Sequence, residues 1–249
     1  MLPISSLNDI KFSLMYTLRM KIAVVIPAFN EEKRLGAVLS DLKTIKAIKE
    51  IIVVDDGSQD ETSKVAKRYK TKLIRVETNT GKGNAMRLGA KMAFDEGAAA
   101  VIFMDGDGQH KTRDFHYFID SLTIGKFDVV FGSRNLSLGV PFFRYMGNKF
   151  ASVIISLLFG IYVSDLICGF RAITKRGFNK LNWESKRYGV ETEMVILTGI
   201  RKLKHCEVPV EVAYYDNFKG VTVFDALVIL KDVIKWKMFG WNKINRVTT

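Results

Sequence analysis

Short runs of apolar residues alternate with amphipathic stretches along the first half of the chain, from residue 21 to residue 134. Five runs predict strands, and those at 22–26, 51–54 and 101–104 are continuously apolar, which is typical of strands buried on both faces of a sheet. The five runs cover residues 22–26, 51–54, 72–76, 101–104 and 127–131. Between the runs, apolar side chains recur every three or four positions, as on one face of a helix. Because parallel strands need crossover connections, the pattern predicts an α/β fold with helices on both faces of a parallel sheet.

Two polar residues mark expected helix starts in this half. Asn30 precedes the first amphipathic stretch and Ser58 precedes the second, and both residue types favour the N-cap position. The second half of the chain has a less regular pattern. It predicts a helix over 141–163, an extended segment over 166–174, a helix over 189–203 and a strand over 206–214.

The 249 residues are 48% hydrophobic, which is enough for a core without disulfides. Cys168 and Cys206 lie far apart without metal-ligand spacing, so we expect ordinary reduced thiols. The net charge of +12 is unevenly spread, because residues 1–125 carry +3 and residues 126–249 carry +9. This excess predicts an anionic partner for the second half. The basic residues form no long cluster and no nucleic-acid-binding motif, so we expect no nucleic acid as partner.

Polar turns follow three of the predicted strands. Asp105 and Asp107 flank a glycine after the fourth strand, Asp55 and Asp56 follow the second, and Glu31 follows the first. The carboxyl ends of parallel strands lie along one edge, where open α/β sheets bind ligands. Carboxylate oxygens suit Mg²⁺ or Mn²⁺, although solvated side chains in an Asp-Gly turn fit the same pattern. The sequence therefore predicts a ligand site at this edge, with a bound metal as one alternative.

Six short motifs occur in an order that resembles a known family. They are VIPAFNE at 25–31, VVDDGS at 53–58, NTGKGNA at 79–85, MDGDGQ at 104–109, GSR at 132–134 and CGFR at 168–171. The set resembles the family-two glycosyltransferases of the GT-A fold, and within them the dolichol-phosphate (polyprenyl-phosphate) mannose and glucose synthases. The resemblance implies a mostly parallel nucleotide-binding sheet flanked by helices, with an irregular acceptor-side C-terminal half.

The resemblance divides the chain into three parts. Residues 1–20 are expected to be an N-terminal extension, and residues 21–224 the GT-A glycosyltransferase domain. Within this domain, residues 21–134 would bind the nucleotide sugar and residues 135–224 the acceptor. Residues 225–249 are expected to form an amphipathic C-terminal helix and tail.

The resemblance also assigns roles to individual residues. The nucleotide sugar would be bound by Pro27, Ala28, Asn30, Glu31, Asp55, Asp56, Lys82, Asp105 and Gly106. A Mg²⁺ or Mn²⁺ ion would be held by Asp105, Asp107 and Gln109. The acceptor phosphate would be bound by Ser133, Arg134 and Arg171. The catalytic residues would be Asp107, Arg134, Arg171 and Glu193, with Glu191 as an equally placed rival of Glu193.

The implied reaction is the inverting transfer of a hexose to a polyprenyl or dolichyl monophosphate. The donor nucleotide sugar would be GDP-mannose or UDP-glucose, with mannose favoured over glucose. A phosphate monoester has a second pKa of about 6, so near neutral pH it is already an anionic nucleophile that needs no base. Two alternatives stay open: transfer to a carbohydrate or lipid hydroxyl, with Glu193 or Glu191 as base, and a non-catalytic nucleotide-sugar binder. A dinucleotide oxidoreductase is disfavoured, because no Gly-x-Gly-x-x-Gly motif follows the first strand.

Two segments suit a membrane surface. Residues 150–163 form an apolar run that is shorter than the roughly twenty residues needed to cross a bilayer, and this length is equally typical of a buried helix. Residues 224–241 have the pattern of an interfacial amphipathic helix, or of a helix packed on the domain. Together with the positive second half, these segments predict a cytoplasmic protein that associates peripherally with the cytoplasmic face of a membrane.

Overall fold

The computed structural model describes residues 20–134, 142–186 and 189–213, together with Val233 and Lys237. The expected N-terminal extension, apart from Met20, lies outside these residues, and so does nearly all of the expected C-terminal tail. The expected domain boundaries near residues 135 and 224 also fall outside the described ranges.

The described residues contain seven strands that form one sheet. The strands are β1 (Ile22–Ala28), β2 (Ile48–Asp56), β3 (Lys72–Val76), β4 (Ala100–Phe103), β5 (Val129–Arg134), β6 (Arg171–Thr174) and β7 (His205–Val210). Their order is β3-β2-β1-β4-β6-β5-β7. Strand β6 is antiparallel to β4 and β5, and the other neighbours are parallel. The predicted α/β class with a mostly parallel sheet is therefore confirmed.

Helices cover both faces of the sheet. They are α1 (Leu35–Leu42), α2 (Thr62–Arg68), α3 (Lys82–Asp95), α4 (Phe115–Thr123), α5 (Phe142–Phe159), α6 (Lys175–Leu181) and α7 (Val190–Ile200). A short 3₁₀ turn, Thr112–Asp114, precedes α4. Within the ranges given above, no helix is long and apolar enough to cross a membrane.

The core is divided into two apolar clusters, one on each face of the sheet, and β1 contributes to both. Ile22, Val24 and Ile26 pack with α1 and α4 side chains, whereas Ala23 and Val25 pack with α3 and α7 side chains. Successive residues of a strand point to opposite faces, so a strand covered on both faces must be apolar throughout. This requirement explains why the continuous apolar runs in the sequence predict the central strands.

The loops after β1 and β2 differ from the helix caps expected at Asn30 and Ser58. Asn30 has a positive φ of 55°, and α1 starts five residues later, at Leu35. The Asn30 N–H donates to the Ser58 hydroxyl over 2.9 Å, and the Gln59 N–H donates to Asn30 Oδ1 over 2.9 Å. Because β1 and β2 are parallel neighbours, their loops lie side by side, so these side chains join two loops instead of capping helices.

The predicted elements of the second half are present with shorter bounds. The extended segment expected over 166–174 is a strand only at Arg171–Thr174, and the strand expected over 206–214 is His205–Val210. Helix α5 ends at Phe159, where Gly160 takes a positive φ of 68° that favours glycine. The apolar residues that follow Gly160 belong to a loop on the core, which apolar patterning alone does not distinguish from helix.

Candidate active site

The loops after β1 and β2 are locked together at the carboxyl edge of the sheet. The Glu31 N–H donates to the Thr62 hydroxyl over 2.8 Å, and the Glu32 N–H donates to an Asp60 oxygen over 3.1 Å. In return, the Glu61 N–H donates to a Glu32 oxygen over 3.0 Å. These bonds fix the backbone beside the expected nucleotide-binding residues, which are Pro27, Ala28, Asn30 and Glu31. The edge is therefore a preformed surface of backbone and carboxylate groups.

Asp55 and Asp56 are buried, and both carboxylates bind the chain itself. Asp55 accepts hydrogen bonds from the Ser58 N–H over 2.8 Å and from the Ser63 hydroxyl, and Arg75 lies 3.3 Å from it. Asp56 accepts from the N–H groups of Thr80 and Gly81, over 2.9 and 2.7 Å, and from the Thr80 hydroxyl over 2.7 Å. In this structure Asp56 thus anchors the glycine-rich 79–85 segment to the end of β2, in addition to the nucleotide-sugar binding expected for it and for Asp55.

This anchoring places Lys82, the first residue of α3, between two carboxylates. Its Nζ lies 2.6 Å from Asp105 Oδ1 and 2.8 Å from Glu191 Oε1. Burial works against the charge of Lys82, but Asp105 and Glu191 outweigh it and raise the pKa of the ammonium above its usual value. Burial likewise opposes the charge of Asp105, yet the nearby Lys82 lowers the pKa of its carboxyl group. We call Lys82, Asp105 and Glu191 the ion cluster.

Asp107 lies beside the ion cluster, where its negative charge is disfavoured. Burial, and next the charge of Asp105, raise the pKa of Asp107 to about 6, although its Oδ1 accepts a hydrogen bond of 3.0 Å from the Gln109 N–H. Carboxylates that disfavour each other's charge fit a divalent cation, which offsets both. The described residues contain no group of three or more His, Cys, Asp and Glu side chains placed to hold a metal. Mg²⁺ is commonly held by one or two carboxylates plus substrate phosphates, so Asp105 and Asp107 fit such an ion.

His110 is a further neighbour of this site, to which the sequence motifs assign no role. It is buried, its Nε2 lies 3.9 Å from Asp105 Oδ2, and its ring packs against Phe170 with centroids 5.1 Å apart. Burial, partly opposed by the charge of Asp105, lowers the pKa of His110 to about 4, so the ring is neutral near pH 7. Its position directly after the MDGDGQ motif is the one signal that could have identified it.

Ser133 and Arg134 lie at the end of β5. The Arg134 guanidinium forms two hydrogen bonds to the buried Asp165, over 2.6 and 3.0 Å, and the Ser133 hydroxyl lies 2.6 Å from that of Ser164. Both residues line a cleft of about 370 Å³, whose other lining residues include Tyr117 and residues of β7. The bidentate pair fixes the guanidinium plane at the wall of this cleft.

Arg171 does not reach this cleft. Its side chain is fully buried and donates to three backbone carbonyls, those of Leu166, Cys168 and Glu191. Burial lowers the pKa of this guanidinium from its ordinary value. Strand β6 lies between β4 and β5, and the guanidinium at its start lies over the Phe131 ring of β5 and binds the Glu191 carbonyl of α7. The structure thus places Arg171 away from the acceptor-phosphate position that the resemblance assigns to it.

Glu193 is also engaged by the chain. Its two oxygens accept hydrogen bonds from the N–H groups of Glu184 and Ser185, over 2.9 and 2.7 Å. The 182–186 segment held in this way covers the start of α3, where the Gly83 N–H donates to the Lys186 carbonyl over 2.8 Å. Glu191, rather than Glu193, is therefore the glutamate that the structure brings to the expected site residues.

A glycine closes the ion cluster from the other side. A Cβ atom on Gly169 would lie 2.3 Å from Asp105 Oδ2 and 2.7 Å from Lys82 Nζ. Since non-bonded atoms do not approach so closely, a larger residue would force the Asp105 and Lys82 side chains to shift, and glycine lets the backbone of the 168–171 motif lie against this ion pair as it stands. The motif therefore contributes its backbone to the site, while its arginine points into the core.

The sheet and its carboxylate-lined edge define an α/β protein of the GT-A type. Its fold matches that of glucosyl-3-phosphoglycerate synthase from Mycobacterium tuberculosis, solved with Mn²⁺, UDP and phosphoglyceric acid, with a TM-score of 0.70 at 18% identity over 96% of this chain and 84% of that one. The model of glycosyl transferase family 2 matches residues 23–182. The chain belongs to this family, and it is a glycosyltransferase.

Two relatives illustrate the chemistry found among similar proteins. The chain is 32% identical to the UDP-N-acetylglucosamine–dolichyl-phosphate N-acetylglucosaminyltransferase of Methanococcus voltae, over 87% of this chain and 96% of that protein. It is 27% identical to the undecaprenyl-phosphate mannosyltransferase of Micrococcus luteus, over 77% of this chain and 83% of that one. Both names state a polyprenyl phosphate acceptor, and they differ in the sugar.

Proposed function

We propose that this protein transfers a sugar from a nucleotide sugar to a polyprenyl or dolichyl monophosphate, with inversion at the anomeric carbon. The observation that carries the proposal concerns the two glutamates considered as bases. Glu193 accepts two backbone hydrogen bonds, and Glu191 pairs with Lys82. A hydroxyl acceptor needs a base to remove its proton, whereas a phosphate monoester is already ionised near neutral pH. The engaged glutamates therefore favour the phosphate acceptor over the hydroxyl.

The donor would bind at the carboxyl edge of the sheet. Its nucleotide would lie on the backbone of the 27–31 loop, with the diphosphate toward Lys82 and Gly106. Asp105 and Asp107, with Gln109, would hold a Mg²⁺ or Mn²⁺ ion. When bound, such an ion neutralises charge on the leaving diphosphate.

The acceptor phosphate would bind beside Ser133 and Arg134. The guanidinium plane that Asp165 fixes is suited to an anionic phosphate, and holding two anionic partners in line is the main requirement of this reaction. In-line attack inverts the configuration and needs no nucleophilic side chain. Cys168, the thiol nearest this site, suits no such role, because burial raises its pKa to about 12. Arg171 would act as a positioning residue that holds the backbone of Cys168 and Glu191.

Mannose is the first donor sugar to test and glucose the second, as the resemblance implies. The similarity to the Methanococcus voltae enzyme adds N-acetylglucosamine as a third. The test incubates purified protein with polyprenyl phosphate and labelled GDP-mannose, UDP-glucose or UDP-N-acetylglucosamine, with Mn²⁺ or with EDTA. We expect label in the organic phase with one donor, lost with EDTA and in an Asp107→Asn variant. Label transferred to polyprenol, or only to water-soluble glycans, would contradict the phosphate acceptor.

We also propose that α5 contacts a lipid surface. Met146, Phe150, Val153 and Leu157 are 46, 69, 49 and 81% exposed and recur every three or four residues, on one face of the helix. Ile155, on the opposite face, is 2% exposed. The helix is thus buried on one side and apolar on its exposed side. The 150–163 run was expected to be either a buried helix or a surface facing the membrane, and this helix has a face suited to each. A stripe of this kind marks an interaction site, and an isoprenoid substrate makes a membrane its partner.

Sedimentation with liposomes tests this second proposal. Leu157→Glu should reduce the bound fraction, because it places a charge within the apolar stripe. The matched control is Ile124→Glu, at an apolar residue that is 57% exposed after α4. Equal loss in both variants, or no loss in either, would remove α5 as the membrane contact.

A further inference from the structure

The ion cluster holds more negative than positive charge around one ammonium group. Lys82 Nζ contacts Asp105 and Glu191 at 2.6 and 2.8 Å, so each carboxylate binds it through one oxygen. The side chains of Lys82, Asp105 and Glu191 are 18, 27 and 4% exposed. Water therefore screens these charges only in part, and any cation that binds Asp105 must compete with the ammonium.

One carboxylate oxygen of Glu191 is available as a hydrogen-bond acceptor. Its Oε2 is buried and has no hydrogen-bond partner among the described residues. A buried carboxylate oxygen without a partner is unfavourable, so the ammonium has a second favourable place, closer to Glu191. The Glu191 backbone is held by Arg171, which fixes where this place lies.

The contact between Lys82 and Asp105 is also confined by the backbone. Gly169 lies so close that a Cβ atom there would be 2.7 Å from Lys82 Nζ. The ammonium can therefore leave Asp105 toward Glu191 or toward the open edge where a diphosphate would lie, but not through the 168–171 motif.

We propose that Lys82 couples divalent-cation binding to nucleotide binding, by leaving Asp105 for Glu191 and the diphosphate when the cation binds Asp105. The inference rests on the proposed function, since it takes Asp105 as a ligand of the cation. Without a nucleotide, the cation must displace the ammonium against like-charge repulsion and binds weakly. With a nucleotide, the diphosphate receives the ammonium, so the cation binds more tightly. By linkage, the cation strengthens nucleotide binding by the same factor.

The test measures Mn²⁺ binding by the EPR signal of free Mn²⁺, with and without UDP or GDP. Lys82→Met should bind Mn²⁺ alone about tenfold or more tightly than the native protein, because a unit charge a few ångströms away is worth at least that factor. In this variant the gain in Mn²⁺ affinity from nucleotide should be smaller than in the native protein, because only the direct attraction between the cation and the diphosphate remains. Glu191→Gln should show the opposite sign and bind Mn²⁺ alone more weakly, because the ammonium then has only Asp105 as partner.

Two further variants complete the test. Lys82→Met leaves Glu191 buried without a counter-charge and could unfold for that reason. In that case the double variant Lys82→Met with Glu191→Gln replaces it in the Mn²⁺ measurement. It should also bind Mn²⁺ alone more tightly than Glu191→Gln does. Lys91→Met is the matched control, because Lys91 lies on the same helix and pairs with Asp95 at the exposed surface, over 2.6 Å. It should leave both Mn²⁺ affinities unchanged.

The outcomes separate this inference from the proposed function. A native protein that binds no Mn²⁺ even with nucleotide would overturn the metal part of the proposed function, and this inference with it. A native protein that binds Mn²⁺, with variants lacking Lys82 that bind it no more tightly, would overturn the coupling role of Lys82 alone. A structural role of Lys82 predicts weaker Mn²⁺ binding in these variants, so the sign of the change distinguishes the two roles.

Discussion

Replacing Arg171 by Met distinguishes a buried positioning residue from a ligand of the acceptor phosphate. The guanidinium is fully buried and donates to the carbonyls of Leu166, Cys168 and Glu191. Methionine fills much of the same space but donates no hydrogen bond. The variant would remove this donor from three buried carbonyls, those of Leu166 and Cys168 next to Gly169 and that of Glu191 in α7.

The expected loss of stability follows from these contacts. A buried acceptor left without its donor costs about 1–3 kcal/mol, which gives about 3–9 kcal/mol for three carbonyls. The native protein also bears the cost of burying the guanidinium, and the variant no longer does. This relief offsets part of the cost of the three carbonyls, so we expect the free energy of unfolding to fall by about 3–5 kcal/mol. In a domain of this size each kcal/mol lowers Tm by about 2–4 °C, which gives a fall of about 6–20 °C.

Thermal and urea unfolding, together with acceptor kinetics, check this prediction. Arg113→Met is the matched control, since Arg113 is 65% exposed and pairs with Glu211 at the surface. Its Tm should stay close to that of the native protein. For Arg171→Met we expect the fall in Tm together with a lower kcat, which saturating acceptor does not restore. A normal Tm combined with a raised KM for polyprenyl phosphate alone would refute the buried role and restore the acceptor contact.

Three other experiments test the candidate site. Gly169→Ala should lower kcat, because its Cβ would lie 2.3 Å from Asp105 Oδ2, whereas Gly147→Ala, with nothing within 4 Å, should not. Cys168 should not react with a thiol reagent at pH 8 in the native protein, because burial raises its pKa to about 12 and keeps the thiol protonated. The contribution of this thiol to stability should decline only above about pH 9, where the thiol of the unfolded chain ionises. Prompt labelling of native protein would contradict this. Asp56→Ala should raise the KM for the nucleotide sugar, because the Thr80 and Gly81 N–H groups lose their acceptor; an unchanged KM would show that the 79–85 segment needs no such anchor.

The central strands could be predicted from sequence because burial on both faces requires continuous apolar residues. Val25 and Ile26 point into different clusters, yet both must be apolar. The meeting of the polar turns was also predictable, since parallel neighbours bring the loops that follow them to one edge of the sheet. These features depend on local pattern and on topology, both of which the sequence contains.

The orientations of individual side chains could not be predicted in the same way. Asn30 meets Ser58 across 28 positions of the chain, and Lys82 meets Glu191 across more than a hundred. Such partners are set by which strands become neighbours, and local propensity favours a helix cap for Asn30 and Ser58 as strongly as a contact between loops. Arg171 and Glu193 illustrate the same limit: an arginine or glutamate in a motif can contact a ligand or hold the backbone that does, and only the fold decides.

The 38 Lys and Arg residues overstate the number of cations available to a partner, because some of these side chains pair with buried aspartates. Asp55, Asp128 and Asp165 have side chains at most 6% exposed, and each pairs with an arginine, namely Arg75, Arg176 and Arg134. Because these arginines are paired with buried aspartates, they contribute less to the attraction of an anionic surface. The apolar stripe of α5 has no comparable internal use. We therefore expect liposome binding to fall more on Leu157→Glu than on raising the ionic strength, and a binding that salt alone abolishes would show that charge is the main attraction.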